Sequence, residues 1–498
     1  MRSFVANVGA YWLQHLLALG AAFVTSPIAV HQLGPEQYGL WTLLVSASAV
    51  LALLDLGLNT ALVRSISKHV ARGDEAAAQA AFASATALLA RIAALLLVLL
   101  MIASAALAHA LAPAGRSADE LQGVVCILAL DLALGMAGTA QLAALSALQR
   151  FVPSSLATAA VTLLRALALV WVLRAGGGLV GIACVQLGGT LLKQLAHLAL
   201  LRRAAPFLRA RLRQPSPSAR AELFSFGVWA FASAVASRLL LATDAIVIER
   251  CLSLGMLTFY AVPAGLLLQV ETLVAAAHGV LFPWISSREA RGDERANREL
   301  YLHGTRYLLL ALLPVVFVLF TAGGDFLRLW MGPEIAEPAT VVLRILAPAS
   351  FLALPQLLGQ GILRGTGRQR TLALVLLAET LLNVALSLLL VRAHGLAGVA
   401  LGTAVPLVLA SLLAIPLAAC RAVGLDYARY LLGSHALPLL LAALLCALAT
   451  CVPLRFASYA GIAGYAVVVA ALVALATLAC GLAPEHRARL RAALARRR

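Results

Sequence analysis

Charge is scarce in this chain. Only 12% of its 498 residues are charged and 62% are hydrophobic, whereas a soluble domain carries roughly 25% charged residues. The mean hydropathy is +0.95. So much apolar surface has no water-soluble arrangement, which excludes a soluble globular protein and leaves an integral membrane protein. Acids are scarcer than bases, 21 against 38, for a formal net charge of +17. On a soluble chain that excess would suggest nucleic acid. On a membrane chain it fits basic cytoplasmic loops facing anionic headgroups, and no nucleic-acid partner is expected. The seven cysteines include no CxxC pair, and Cys446 and Cys451 lack a His or acidic cluster, so neither a metal centre nor a disulfide framework is expected. GxSxG, HExxH and P-loop motifs are absent, the histidines are scattered, and Gly323-Gly324-Asp325 lacks a strand–turn–helix context. Little is left for catalysis.

What the sequence does have is length in its apolar runs. A spanning helix needs about 20 apolar residues, and fourteen runs meet that measure: 9–30, 38–63, 80–112, 121–148, 153–173, 179–201, 222–248, 257–285, 302–322, 339–363, 371–391, 396–419, 431–451 and 460–481. They are Leu/Ala-rich without alternation, so helices are expected rather than barrel strands. The first run, with only Arg2 before it, reads as a first membrane helix and not a cleaved signal. With the N-terminus inside, the inner loops and tail carry 27 Lys and Arg, and the outer loops carry six, one each. That asymmetry puts both termini in the cytoplasm and supports an even helix count. Pro27, Pro263, Pro314, Pro406 and Pro416 fall inside runs, where a kink or a functional bend is expected.

The chain also repeats itself. Ala71-Arg-Gly-Asp-Glu75 recurs as Ala290-Arg-Gly-Asp-Glu294, 219 residues later. Gly178-Leu-Val-Gly-Ile-Ala183 resembles Gly395-Leu-Ala-Gly-Val-Ala400 at 217, and Tyr38 resembles Tyr260 at 222. One nearly constant offset implies two related six-helix halves. Six is even, so both run the same way through the membrane, as in parallel-repeat transporters. The expected organisation is a first lobe at 1–205, a Pro-containing basic linker at 206–220, a second lobe at 221–422, and two further helices with a basic tail at 423–498. The repeated pentapeptide reads as a basic inside turn, its Gly ending one helix and its Asp-Glu opening the next.

Charged side chains inside the runs carry the functional information, because each costs roughly 2.5–3.5 kcal/mol at a helix centre on insertion scales. Arg91, Lys193 and Arg344 lie close enough to an interface to snorkel. Arg165 and Arg238 lie near mid-membrane. Each is either half of a buried ion pair or part of a cationic floor for an anionic substrate. The acids are Asp55, Asp131, Asp244, Glu271 and Glu379. Asp55 and Asn59 share a helix face at i,i+4, as do Glu271 and His278 at i,i+7. Any of these carboxylates is a static interhelical bond or a site for Na⁺ or a proton. No organic cofactor is expected.

At the second run the sequence meets a family. Leu33-Gly-Pro-Glu-Gln-Tyr-Gly-Leu-Trp41, Leu54-Asp-Leu-Gly-Leu58, and Arg64 through Ala71-Arg-Gly-Asp74 resemble the opening signature of the polysaccharide-biosynthesis flippases. Asp244 followed by Tyr260, and Gly361-Ile-Leu-Arg-Gly-Thr-Gly367, resemble later parts of that pattern. These O-antigen and exopolysaccharide-repeat flippases belong to the MOP superfamily, with the MATE multidrug exporters and the lipid II flippases. The resemblance implies an all-α membrane protein of about fourteen helices in two rocking lobes. It implies transport of an undecaprenyl-diphosphate-linked oligosaccharide from the cytoplasmic to the periplasmic leaflet of a bacterial inner membrane. A polysaccharide polymerase and a chain-length regulator are the implied partners, beside the lipids. It ranks Arg238, Asp55, Asn59 and Glu271 first among cavity residues, with Arg165 and Lys193 next. The first run departs from the lipid II flippases, offering Gln14 and His15 but no Arg. Three other readings stay open: a cation-coupled multidrug exporter, a membrane enzyme such as a polymerase, and a non-transporting scaffold.

Overall fold

The structure, a computed structural model, describes residues 2–55, 57–111, 118–209, 228–289, 294–450 and 455–481. These residues are helical almost throughout, and none forms a strand. A helix satisfies every backbone N–H and C=O within itself, as hydrocarbon demands. The first half comprises α1 (Arg2–Leu51), α2 (Leu58–Ala71), α3 (Glu75–Leu111), α4 (Ala118–Ala147), α5 (Phe151–Arg174) and α6 (Gly178–Ala204). The second comprises α7 (Val228–Cys251), α8 (Leu254–Glu289), α9 (Glu294–Met331), α10 (Pro333–Ala353), α11 (Leu357–Gly365), α12 (Gln369–Leu409) and α13 (Ile415–Val423). Two more follow, α14 (Tyr427–Thr450) and α15 (Tyr459–Ala476).

Among the described residues, 11 helical segments are long and apolar enough to cross a membrane. Two of them, Trp12–Leu51 and Gln369–Val423, each take in parts of two expected runs, and α7 carries the run at 222–248. All fourteen runs therefore fall on helix as far as the described residues extend. The breaks differ from expectation. The run at 38–63 is not one helix: α1 ends at Leu51, a 3₁₀ turn spans Ala52–Asp55, and α2 starts beyond Gly57 at φ 73°. The run at 339–363 is interrupted by a second 3₁₀ turn, Leu354–Gln356. Conversely, the loop between the first two runs is helix bent at Gly34, φ 76° and ψ 165°. Pro27, Pro314 and Pro406 lie inside helices that continue past them without a break. Glycines at positive φ make the sharp turns because they lack a Cβ. Gly323 and Gly324 sit within α9, against Leu343 and Thr340 of α10.

The repeat is visible in the backbone. The turn from α4 to α5 puts Gln149 at φ 56°, and the turn from α11 to α12 puts Gly367 at φ 74°, 218 residues on. In the first, Arg150 N donates to Leu145 O at 2.9 Å; in the second, Arg368 N donates to Leu363 O at 2.8 Å. Gly178 opens α6 at φ 54°, and its counterpart Gly395 bends α12 at φ 55°. The third residue on from each, Gly181 and Gly398, lets the preceding helix approach, Val172 in one case and Leu390 in the other. The first copy of the pentapeptide behaves as expected: α2 ends at Ala71, Gly73 has φ 71°, and Asp74 Oδ1 accepts from Ala77 N at 2.9 Å. In the second copy, Ala290 to Asp293 lie outside the described residues.

Two compact units emerge, Met1–Thr258 and Phe259–Arg498. In the first, α7 packs on α1, and α3 packs on α4 through Ala81, Ala85, Ala93, Ala140 and Ala144. Small side chains suit a membrane interior, where close van der Waals contact replaces the hydrophobic effect between helices. In the second, α14 and α15 are fastened to α9. Tyr301 stacks on Tyr430 with ring centroids 4.3 Å apart, and Gln356 bridges the two hydroxyls at 3.0 and 2.9 Å. Asp325 Oδ2 accepts from Phe456 N at 2.9 Å.

Candidate functional site

Helices α5 and α6 each have two unlike faces. On α5, Leu156, Leu163, Leu167 and Trp171 form an exposed apolar stripe. At 3.6 residues per turn, Arg165 stands roughly 180° from that stripe, on the side of Ser154 and Thr158. On α6, Leu191, Leu192 and Leu195 are exposed, while Gln186, Lys193 and His197 recur at a spacing of seven and four on the opposite side. Arg165 is nevertheless exposed. Its guanidinium therefore borders open space along the polar face of α5.

There the polar faces of α5 and α6 meet α4. Arg165 Nη1 donates to Gln186 Oε1 at 2.8 Å, and Gln186 Nε2 donates to Asp131 Oδ2 at 3.3 Å. Lys193 is close enough to feel both Arg165 and Asp131 electrostatically. Among the described residues Lys193 donates no hydrogen bond, and Asp131 Oδ1 is buried without a partner. Farther along α6, Gln194 Nε2 donates to Gly135 O at 3.2 Å, and His197, 1% exposed, is 3.2 Å from the Thr158 hydroxyl. Two glycines make room. A Cβ at Gly189 would lie 2.8 Å from Arg165 Cδ, and one at Gly138 would collide with the Gln194 amide.

The charges do not cancel. Two cations face one carboxylate, which leaves a formal +1 on a seam whose ammonium and carboxylate are half-buried and whose guanidinium is exposed. Uncompensated charge away from water is costly, and a counter-anion relieves it. A guanidinium offers a planar fork and an ammonium a compact charge, and both suit phosphate oxygens. Sequence reasoning named Arg165, Lys193 and Asp131 separately. It missed Gln186, Gln194, His197 and Thr158. The signal was present: polar residues of α6 lie opposite its leucines, and Arg165 lies opposite those of α5.

The other expected residues are placed differently. Asp55 and Asn59 do pair, at 2.7 Å, but across a helix break rather than along one helix face. Asp55 Oδ1 also accepts from Gly57 N at 3.0 Å, so the carboxylate closes the turn that starts α2. Asp244 is 4% exposed within the first unit. Arg238 lies on α7, and its side chain is outside the described residues, as is that of His278. Glu271 is exposed on α8.

The second unit has its own polar cluster. Glu379 is 6% exposed and lies one helical turn from Asn383, which is fully buried. Asn383 Nδ2 donates to Thr403 Oγ1 at 2.9 Å, and that hydroxyl lies 3.2 Å from Tyr260 OH. Neutral and acidic groups dominate here.

Comparison with known proteins agrees with this architecture. A family model described as "Polysaccharide biosynthesis protein" matches residues 4–289, and one described as "MatE" matches 247–389. A Shigella flexneri protein named "Putative O-antigen transporter" is 21% identical, over 76% of this chain and 89% of its own length. A Bacillus subtilis (strain 168) protein named "Uncharacterized membrane protein EpsK" is 25% identical, over 84% of each chain. Among solved structures, the inward-facing conformation of a multidrug resistance MATE family transporter of the MOP superfamily superposes with a TM-score of 0.70 at 14% identity, over 84% of this chain and 98% of the other. A MOP superfamily transporter from Pyrococcus furiosus, described by the reverse polarity of its binding pocket, superposes with a TM-score of 0.66 at 15% identity, over 84% and 95%. With a family match over more than half its length and a shared helical architecture, this multi-pass membrane chain belongs to the polysaccharide biosynthesis protein family, on the fold of the MOP superfamily transporters.

Proposed function

We propose that this protein flips an undecaprenyl-diphosphate-linked oligosaccharide from the cytoplasmic to the periplasmic leaflet of a bacterial inner membrane, for O-antigen or exopolysaccharide assembly. The observation that carries the reading is the +1 seam of Arg165, Lys193 and Asp131 where the polar faces of α5 and α6 meet α4. A lipid diphosphate is an anion that must cross hydrocarbon, and a fixed positive site lowers that cost. Transport follows alternating access by the two repeat lobes, 1–205 and 221–422, joined by 206–220. Both termini are cytoplasmic. Arg238 and Asn59 are further candidates for the substrate path. The work is translocation and not bond making, so the chain is read as a transporter and not as an enzyme.

A second feature bears on coupling. Glu379 is a buried carboxylate one helical turn from Asn383, whose amide donates to the Thr403 hydroxyl. With Asp244 and Glu271 it is a candidate to take up H⁺ or Na⁺ during the cycle. This is also the feature that favours the rival, a cation-coupled multidrug exporter.

The test is genetic and chemical together. A deletion strain is expected to accumulate lipid-linked repeat units on the cytoplasmic side and to lose surface polysaccharide. Plasmid-borne wild type is expected to restore it, and Arg165→Gln with Lys193→Gln to fail at equal membrane abundance. Normal surface polysaccharide in the deletion strain, or drug sensitivity as its sole phenotype, would overturn the flippase reading in favour of the exporter.

A further inference from the structure

The seam contains a residue that the charge argument leaves unassigned. Gln186 is uncharged, yet it joins the two charges that define the site. Its carbonyl accepts from Arg165 at 2.8 Å and its amide donates to Asp131 at 3.3 Å. A guanidinium only donates and a carboxylate only accepts, so the amide has one orientation that satisfies both. Gly189 supports the same geometry by letting the Arg165 side chain lie across α6, within 2.8 Å of where a Cβ would stand. A direct Arg165–Asp131 ion pair would use up the guanidinium. An amide inserted between them holds Arg165 in place and leaves its charge largely uncancelled. Lys193, which makes no hydrogen bond among the described residues, then adds the second positive charge.

We propose that Gln186 is the positioning residue of an anion site for a diphosphate, keeping Arg165 fixed but unneutralised. This rests on the flippase reading for the identity of the anion. Three substitutions separate charge from placement. Gln186→Met keeps the volume and the +1 but releases both neighbours. Gln186→Glu gives Arg165 a full counter-charge and brings the seam to neutrality. Asp131→Asn added to Gln186→Glu restores +1.

The experiment measures binding of inorganic diphosphate to the purified full-length protein in detergent, by calorimetry, with size-exclusion profiles as the folding control. Chloride at matched ionic strength is the reference. Wild type is expected to bind diphosphate above the reference. Gln186→Met is expected to bind about ten-fold more weakly, and Gln186→Glu to lose binding. The Asp131→Asn/Gln186→Glu pair is expected to stay as weak as Gln186→Glu, because the net +1 is back but Arg165 still carries a carboxylate partner. Wild-type binding with both single variants unchanged overturns the positioning role and leaves the anion reading standing. Wild-type binding in the Asp131→Asn/Gln186→Glu pair also overturns it, since net charge and not the placement of an unpaired guanidinium then sets affinity. A wild type that does not bind diphosphate overturns the anion reading, and the role of Gln186 falls with it.

Discussion

The α5–α6 hairpin and its repeat in α12 are built on one plan and furnished differently. Arg165 and Asn383 are 218 residues apart, the same offset as the turns at Gln149 and Gly367. Gln186 and Thr403 are 217 apart, the same offset as Gly178 and Gly395. In each half the two positions are hydrogen-bonded: Arg165 to Gln186 at 2.8 Å, Asn383 to Thr403 at 2.9 Å. The backbone therefore conserves the juxtaposition while the side chains reverse its electrical sense. The first half presents a cation that stays exposed. The second presents a buried amide with the carboxylate of Glu379 one turn away. A duplicated fold supplies position, and chemistry at that position is free to diverge.

The largest expected effect comes from erasing the difference. Arg165→Asn gives the first half the second half's residue. It is expected to cut surface polysaccharide more than ten-fold at unchanged membrane abundance, a loss of about 1.4 kcal/mol or more in transport efficiency. Polysaccharide gel profiles and immunoblots check it, and a wild-type profile would mean the contrast has no functional weight. Next in size is a structural contrast. Alanine at Gly398 would drive its Cβ into the Leu390 backbone carbonyl, which cannot rotate away. Alanine at Gly181 meets only the end of the Val172 side chain, which can change rotamer. The expected costs are about 3 and about 1 kcal/mol, read as thermal midpoints in detergent. Equal midpoints would mean the two hairpins close by different means. The smallest effect concerns the paired turns. Gln149→Gly removes a Cβ from a left-handed position and is expected to stabilise by up to about 1 kcal/mol. Gly367→Gln is expected to destabilise by a similar amount, and the same thermal measurement compares them.

Much of this was legible in the linear chain. The fourteen runs needed only their length and composition, because hydrocarbon permits few backbone solutions. The repeat needed only spacing. Helix breaks were harder. The run at 38–63 is apolar enough on average to span, but the Asp55 carboxylate binds Gly57 N and Asn59 at the point where the helix breaks. Hydropathy does not register that local competition between side chain and backbone. The site was half legible. Arg165, Lys193 and Asp131 stand out as charges, whereas Gln186 becomes notable only when α4 and α5 deliver a carboxylate and a guanidinium to its two ends.

By itself the sequence determined that the chain lives in a membrane, that its markers recur at a nearly constant offset, and which residues carry costly charge. Those follow from transfer energies and periodicity, which are properties of each segment alone. Only the tertiary structure decided which charges meet. Three helices had to converge before Asp131, Gln186, Arg165 and Lys193 became one seam, and before Asn383 and Thr403 became its counterpart. A pairwise hydrogen bond between segments far apart in the chain leaves no mark in either segment's composition. Its energy depends on a separation of a few ångströms that packing alone sets.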